Sequence, residues 1–260
     1  MPGKDRQRAL ARAKLERQMA RRAAAARRRR QVQAGLGAAV AVIVVLAGVV
    51  FLVTQLRDDK TGTTKTAAAA AGCAYPKSAQ PGSKDVGAPT VDEIAKTGTQ
   101  VVTLETNVGT LTADLDLAAA PCTSHSFAHL AAEKYFDGTS CHRLVTEGIF
   151  VLQCGDPTGK GSGGPGYQFA NENLPTGKSP AYPAGTLAMA NSGPDTNGSQ
   201  FFIVYKDTEL SADYSVFGKV TSGLDAVQKV AAQGVQGGRT DGPPKKAVTL
   251  TSVTAAAPRK

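Results

Sequence analysis

In Asn197-Gly198-Ser199-Gln200-Phe201-Phe202-Ile203-Val204, a polar loop with one glycine runs directly into four large apolar residues. A short apolar run bounded by turn residues predicts a strand. The same texture recurs on both sides, at Ser140–Val145, Phe150–Gln153, Thr186–Ala190, Val216–Val220 and Ala247–Val253, with Gly/Pro/Asn loops between. Further upstream, Gln100–Glu105 leads to a turn at Asn107-Val108-Gly109. Leu111, Ala113, Leu115 and Leu117 then alternate with Thr110, Thr112, Asp114 and Asp116. That period of two predicts a hairpin with one wet face.

Helical signals interrupt the strands twice. Pro121 suits a first helical position, and Phe127, Leu130, Ala131 and Tyr135 follow at helical spacing, with Gly138 beyond. A second helix is predicted from Ser222, with Asp225 as capping partner, to Gly234. Many short strands with one helix early and one late predict a mainly-β barrel capped at its ends by helices.

Before this domain the composition changes. Of the 260 residues, the first 33 hold twelve Lys or Arg against Asp5 and Glu16, so this tail carries +10 while the remainder is near neutral, for a total of +9. Positive charge spread over a folded face would suggest a nucleic-acid partner, but here it sits in one tail, and none is expected. Residues 34–53 have no charge and no proline, long enough to cross a hydrocarbon core of ~30 Å. The reading is a basic cytoplasmic tail over 1–33, a transmembrane helix over 34–56, an extracytoplasmic linker over 57–98 and a folded domain over 99–256. The Lys/Arg excess beside the apolar run places the N-terminus in the cytoplasm and the C-terminal domain outside a cell membrane crossed once.

All four cysteines, Cys73, Cys122, Cys141 and Cys154, fall on the outer side, where disulfides persist. Three full pairings are open to them. Cys122–Cys141 with Cys73–Cys154 is preferred, since the latter would tether the linker to the barrel.

Several familiar chemistries do not fit. Gly161-Ser162-Gly163-Gly164-Pro165-Gly166 matches G-x-G-x-x-G, but Pro165 and the Asn-rich stretch after it open no helix to meet a phosphate. Gly155 to Lys160 lacks one residue of a P-loop. His125 and His129 share a helix face but lack the four ligands of a closed zinc site, so surface or core roles are expected and no metal or other cofactor. No Gly-x-Ser-x-Gly elbow marks a nucleophile.

Five stretches in fixed order carry a different signal: Cys141-His142-Arg143-Leu144, Phe150-Val151-Leu152-Gln153-Cys154-Gly155-Asp156, Leu187-Ala188-Met189-Ala190-Asn191, Asn197-Gly198-Ser199-Gln200-Phe201-Phe202-Ile203, and Val216-Phe217-Gly218-Lys219-Val220. From about Gln100 to Val253 the chain resembles the cyclophilin-type peptidyl-prolyl cis/trans isomerases, here in a bacterial membrane-anchored form. The resemblance implies a closed eight-stranded antiparallel barrel capped by two helices. It implies a catalytic Arg143 oriented by Gln153, with Phe202 beside them, and a proline pocket of Phe150, Val151, Phe202, Leu210 and Tyr214. Ala190, Asn191 and Gln200 would line the groove for the substrate backbone. Departures from the common form are two extra residues between Arg143 and Phe150, Val151 for a methionine, Tyr214 for a histidine, and no tryptophan near Leu210.

The chemistry suits such a set. Isomerising an X–Pro bond means breaking amide resonance over ~18–20 kcal/mol without cleaving anything, so neither nucleophile nor metal is required. A guanidinium aimed at the prolyl nitrogen stabilises the lone pair that appears on twisting, and a water-poor pocket strengthens that bond. The resulting expectation is a monomeric isomerase acting on proline-containing polypeptides outside the cytoplasm. The alternative is a proline-binding chaperone module with little turnover.

Overall fold

The computed structural model describes residues 72–92 and 94–260. Ten strands form one antiparallel sheet in the order β3-β10-β1-β2-β8-β6-β7-β5-β4-β9. They are β1 (Thr99–Thr106), β2 (Gly109–Asp116), β3 (Thr139–Ser140), β4 (Arg143–Val145), β5 (Val151–Cys154), β6 (Thr186–Met189), β7 (Phe201–Val204), β8 (Val216–Ser222), β9 (Asp241–Gly242) and β10 (Thr249–Ala255). Helix α1 (Pro121–Ala132) follows β2, and α2 (Leu224–Gln233) follows β8.

The expected closed eight-stranded barrel is therefore corrected to an open, curled ten-stranded sheet capped by two helices. Two short strands account for the change. The run Ser140–Val145 divides, because residues 139–140 pair with β10 while 143–145 pair with β5 and β9. The division falls where Cys141 is drawn into the core. Asp241–Gly242, with no apolar residue, adds the other end strand. The end strands β3 and β9 do not pair with each other, so the sheet stays open.

Period-two alternation sorts side chains onto two faces. Leu144, Leu152, Cys154, Leu187, Met189, Phe201 and Ile203 enter the main core, where α1 adds Phe127 and Leu130 and α2 adds Val227 and Val230. Their neighbours Val145, Val151, Ala188, Phe202 and Val204 form a second cluster with Ala181 and Tyr182. In β7 the adjacent phenylalanines thus do different jobs: Phe201 packs inside and Phe202 outside.

Helix α1 begins at Pro121 as expected but ends at Ala132, so Tyr135 lies beyond it, buried in the core. Ser222 is the last residue of β8 rather than a cap. Gly223, in the left-handed region, starts α2, and Asp225 instead pairs with Lys229 one turn on, at 2.7 Å.

The basic tail, residues 1–33, and the expected membrane span, residues 34–56, lie outside the described residues, as does most of the linker's first part. Among the described residues no helix is long and apolar enough to cross a membrane. The longest, α1 with 12 residues, spans about 18 Å against a hydrocarbon core of ~30 Å. For the described residues, the expectations of a membrane-anchored form, a membrane partner and a single-pass topology with an extracytoplasmic domain are corrected on that finding.

The cysteines are all paired, but not in the preferred way: Cys73 joins Cys122, and Cys141 joins Cys154. Register explains the second pair. Arg143 lies opposite Gln153, so the chain flanking that pair brings the Cα atoms of Cys141 and Cys154 to 4.0 Å, within reach of one bridge.

Candidate active site

Four adjacent strands align the polar and apolar parts of the site. Arg143 on β4 is the cross-strand partner of Gln153 on β5, Gln153 that of Phe202 on β7, and Phe202 that of Ala188 on β6. Partners on neighbouring strands lie ~5 Å apart on one face. Arginine, glutamine and phenylalanine therefore form a row across the outer face of the sheet.

The guanidinium is held from two sides. Its Nε and Nη2 donate to the two carboxylate oxygens of Asp241 at 2.8 and 2.7 Å, and Nη1 points to Gln153 Oε1 at 3.4 Å. These hydrogen bonds to Asp241 raise the already high pKa of Arg143 against the opposing effect of burial, so it stays charged. The bond from Arg143 in turn holds the Asp241 carboxyl below its ordinary range. Sequence reasoning missed Asp241. It lies 98 positions from Arg143, and only the pairing of β9 with β4 brings it there.

From Gln153 a relay continues. Its Nε2 donates to Gln200 Oε1 at 2.9 Å, and Gln200 Nε2 donates to the Gly163 carbonyl at 2.9 Å. Ala190 hydrogen-bonds through its amide to the Gln200 carbonyl, and Asn191 Nδ2 reaches the Asp213 carbonyl. Gln153, Gln200, Ala190 and Asn191 together line a polar cleft of about 190 Å³.

On the other side of the row is the apolar cluster. Phe202, 4% exposed, and Val151, 3% exposed, form its floor. Leu210 and Tyr214 pack at its edge, and the Tyr214 ring meets Phe202 edge-on at 5.6 Å. Phe150 is not brought there. Its ring packs against Tyr205 of the main core, with Lys206 Nζ 4.3 Å from its centroid. Ile149, in the lengthened segment between Arg143 and Phe150, joins the outer cluster instead. Tyr182 was also missed: it is fully buried, and its hydroxyl fixes the 211–214 loop by bonding to the Ser211 carbonyl and accepting from the Tyr214 amide. A single aromatic inside a Pro-rich loop carried no periodic signal for that role.

The loop before β7 shows why its sequence takes the form it does. Buried Asn197 donates through Nδ2 to the carbonyls of Phe169 and Ala170 and to Asn171 Oδ1. Ser199 Oγ donates to the Gly155 carbonyl at 2.7 Å. Gly155 has φ +89°, and any Cβ there would collide with the Ser199 carbonyl.

The glycine-rich stretch holds an anion, but it is the protein's own. The fully buried Asp156 carboxylate accepts from the amides of Thr158, Lys160, Gly161 and Ser162 and from the Thr158 hydroxyl. Burial opposes its ionisation, yet those donors keep its carboxyl below the ordinary range. His125 and His129 donate through Nε2 to the carbonyls of Thr90 and Gly87. Among the described residues no cluster of His, Cys, Asp and Glu is arranged to hold a metal.

In sequence and fold the chain is similar to known proteins. Residues 101–255 match the family described as cyclophilin type peptidyl-prolyl cis-trans isomerase/CLD. The chain is 48% identical over 195 residues to the probable peptidyl-prolyl cis-trans isomerase B of Mycobacterium tuberculosis, covering 70% of this chain and 63% of that protein. It is 44% identical over 133 residues to the peptidyl-prolyl cis-trans isomerase-like 1 of Mus musculus, covering 50% and 78%. The crystal structure of a Cryptosporidium parvum cyclophilin type peptidyl-prolyl cis-trans isomerase superposes with a TM-score of 0.54 at 30% identity, over 62% of this chain and 99% of that one. The chain spans less than two thirds of the length of the mycobacterial relatives it matches.

Proposed function

Because the chain belongs to the cyclophilin-type peptidyl-prolyl cis-trans isomerase family, we propose that it catalyses cis/trans isomerisation of X–Pro bonds and so assists the folding of proline-containing polypeptides. The observation that carries this reading is the row Arg143–Gln153–Phe202 between an apolar cluster and a polar cleft. The substrate's proline ring seats on Phe202 and Val151, against Leu210 and Tyr214. That leaves the prolyl nitrogen at the rim, beside the guanidinium, with the flanking chain along Ala190, Asn191 and Gln200.

As the amide twists, resonance is lost and the nitrogen lone pair becomes a hydrogen-bond acceptor. Arg143 donates to it in the transition state far better than in the planar ground state, and that difference is what accelerates the reaction. Asp241 and Gln153 hold the fork so that little reorganisation is needed at that moment. No bond is made or cleaved, and no proton leaves the arginine.

An isomerase assay on a proline tetrapeptide, read by NMR exchange, tests the proposal. Acceleration over the slow uncatalysed reaction, tens to hundreds of seconds, is the expected result. Peptide binding without acceleration would refute it in favour of a proline-binding module.

A further inference from the structure

The strap Cys73–Ser83 precedes the residues that match the family, yet it packs beside the site. The Cys73–Cys122 disulfide fixes it to the first turn of α1, where the Tyr75 hydroxyl also donates to the Cys122 carbonyl at 2.7 Å. The Tyr75 ring meets Tyr167 and Phe169 edge-on. The backbone then pairs with the glycine-rich loop: Gln168 N donates to Pro76 O, Ser78 N to Gly166 O and Ser83 N to Gly164 O, each at 2.9 Å. Contact is close, for a Cβ on Gly163 would lie 2.6 Å from Ser83 Oγ and collide with the Asp156 carboxylate.

Between these tethers Ser78, Gln80 and Pro81 line the polar cleft, which Gln153, Gln200 and Asn191 also line. None of the cleft's lining residues is charged. A charged side chain entering it would give up water without gaining an ionic partner, whereas a hydroxyl, an amide or a methyl group would not meet that penalty.

We propose that the strap is a specificity-determining wall of the substrate groove: Ser78, Gln80 and Pro81 close the cleft around a small uncharged side chain flanking the substrate proline, and the Cys73–Cys122 disulfide holds that wall in place. This deepens the isomerase reading and rests on it. The strap adds a further side to a groove otherwise built from the sheet and its loops.

The test compares the full chain with Gln80→Ala and with Cys73→Ser/Cys122→Ser, on proline peptides bearing Ala, Ser, Glu or Lys at each position within two residues of the proline. The readout is the ratio of kcat/KM for small neutral over charged peptides, which a simple loss of folded enzyme does not move. The parent should favour the small neutral peptides at one position by about 10-fold or more, and both variants should cut that ratio at least ~3-fold. A parent without the preference, or variants that keep its ratio, overturns the proposal. Should the double serine variant fail to fold, Gln80→Ala decides, since it leaves both disulfides in place. Should no peptide be turned over, the isomerase reading fails, and the same ratios taken from dissociation constants by calorimetry decide the strap's role.

Discussion

At the residue scale the reading depends on Arg143. Replacing it with alanine removes a charge-assisted hydrogen bond worth roughly 1.5–3 kcal/mol, so kcat/KM should fall at least ~10-fold while circular dichroism stays unchanged. Arg143→Lys keeps the charge but loses the planar fork and should recover little. Asp241 acts through that fork. Its pair with Arg143 is about half exposed, so Asp241→Ala should lower kcat/KM by no more than ~5-fold, corresponding to about 1 kcal/mol. In an Arg143→Ala background it should cost nothing further, a non-additivity that a double-mutant cycle would reveal. His142, next in the chain, has both ring nitrogens buried without a hydrogen-bond partner. Burial lowers its pKa, nearby Asp156 opposes that and Arg143 adds to it. A histidine that resists protonation when folded contributes stability above its unfolded pKa of ~6.5, and that contribution is lost as pH falls below it. Thermal melts at pH 5.5 and 7.5 should therefore differ more for the parent than for His142→Gln.

At the element scale, sequence signals located the strands and the stop of α2 at Gly234 better than the end of α1 or the start of α2. Phe201–Val204 was read to the residue, because turn residues bound it on the N-terminal side and its four apolar residues give it length. Helix α1 has no side-chain cap of its own at Ala120. Instead Glu172, about fifty positions away, accepts from the amides of Cys122 and Thr123, at 3.1 and 2.7 Å, and from the Thr123 hydroxyl. A carboxylate there also meets the positive end of the helix dipole. Glu172→Ala should cost about 0.5–2 kcal/mol, as removal of a cap does, and hydrogen exchange should show the loss first in the amides of Cys122 and Thr123.

At the scale of the whole molecule, the disulfides brace two different regions. Cys141–Cys154 joins the chain just before β4 to the end of β5, one residue from Gln153 and two from Arg143, while Cys73–Cys122 ties the strap to α1. Peptide mapping without reductant should recover those two pairs, and recovery of Cys122–Cys141 would contradict the fold. Loop length sets their relative weight. Closing 49 residues restricts the unfolded chain more than closing 13, about 4 against about 3 kcal/mol in the chain-entropy model. Reduction should accordingly lower the melting temperature, read by calorimetry with and without dithiothreitol.

The sequence by itself determined the strand-rich class, the two helices, the inward and outward alternation of β1 and β2, and the residues Arg143, Gln153 and Phe202 that meet in one row, with Gln200 bonded to Gln153 beside it. These are local matters: period, turn chemistry and a motif short enough to be read along the chain. Tertiary structure decided the rest. It set which cysteines pair, that the sheet stays open with ten strands, that Ile149 rather than Phe150 enters the outer cluster, and that Asp241 and Glu172 arrive from far along the chain. Each of those depends on how segments distant in sequence come together, either in the register between strands or where a loop meets α1, and a one-residue change in register moves a side chain to the opposite face, which no local pattern specifies.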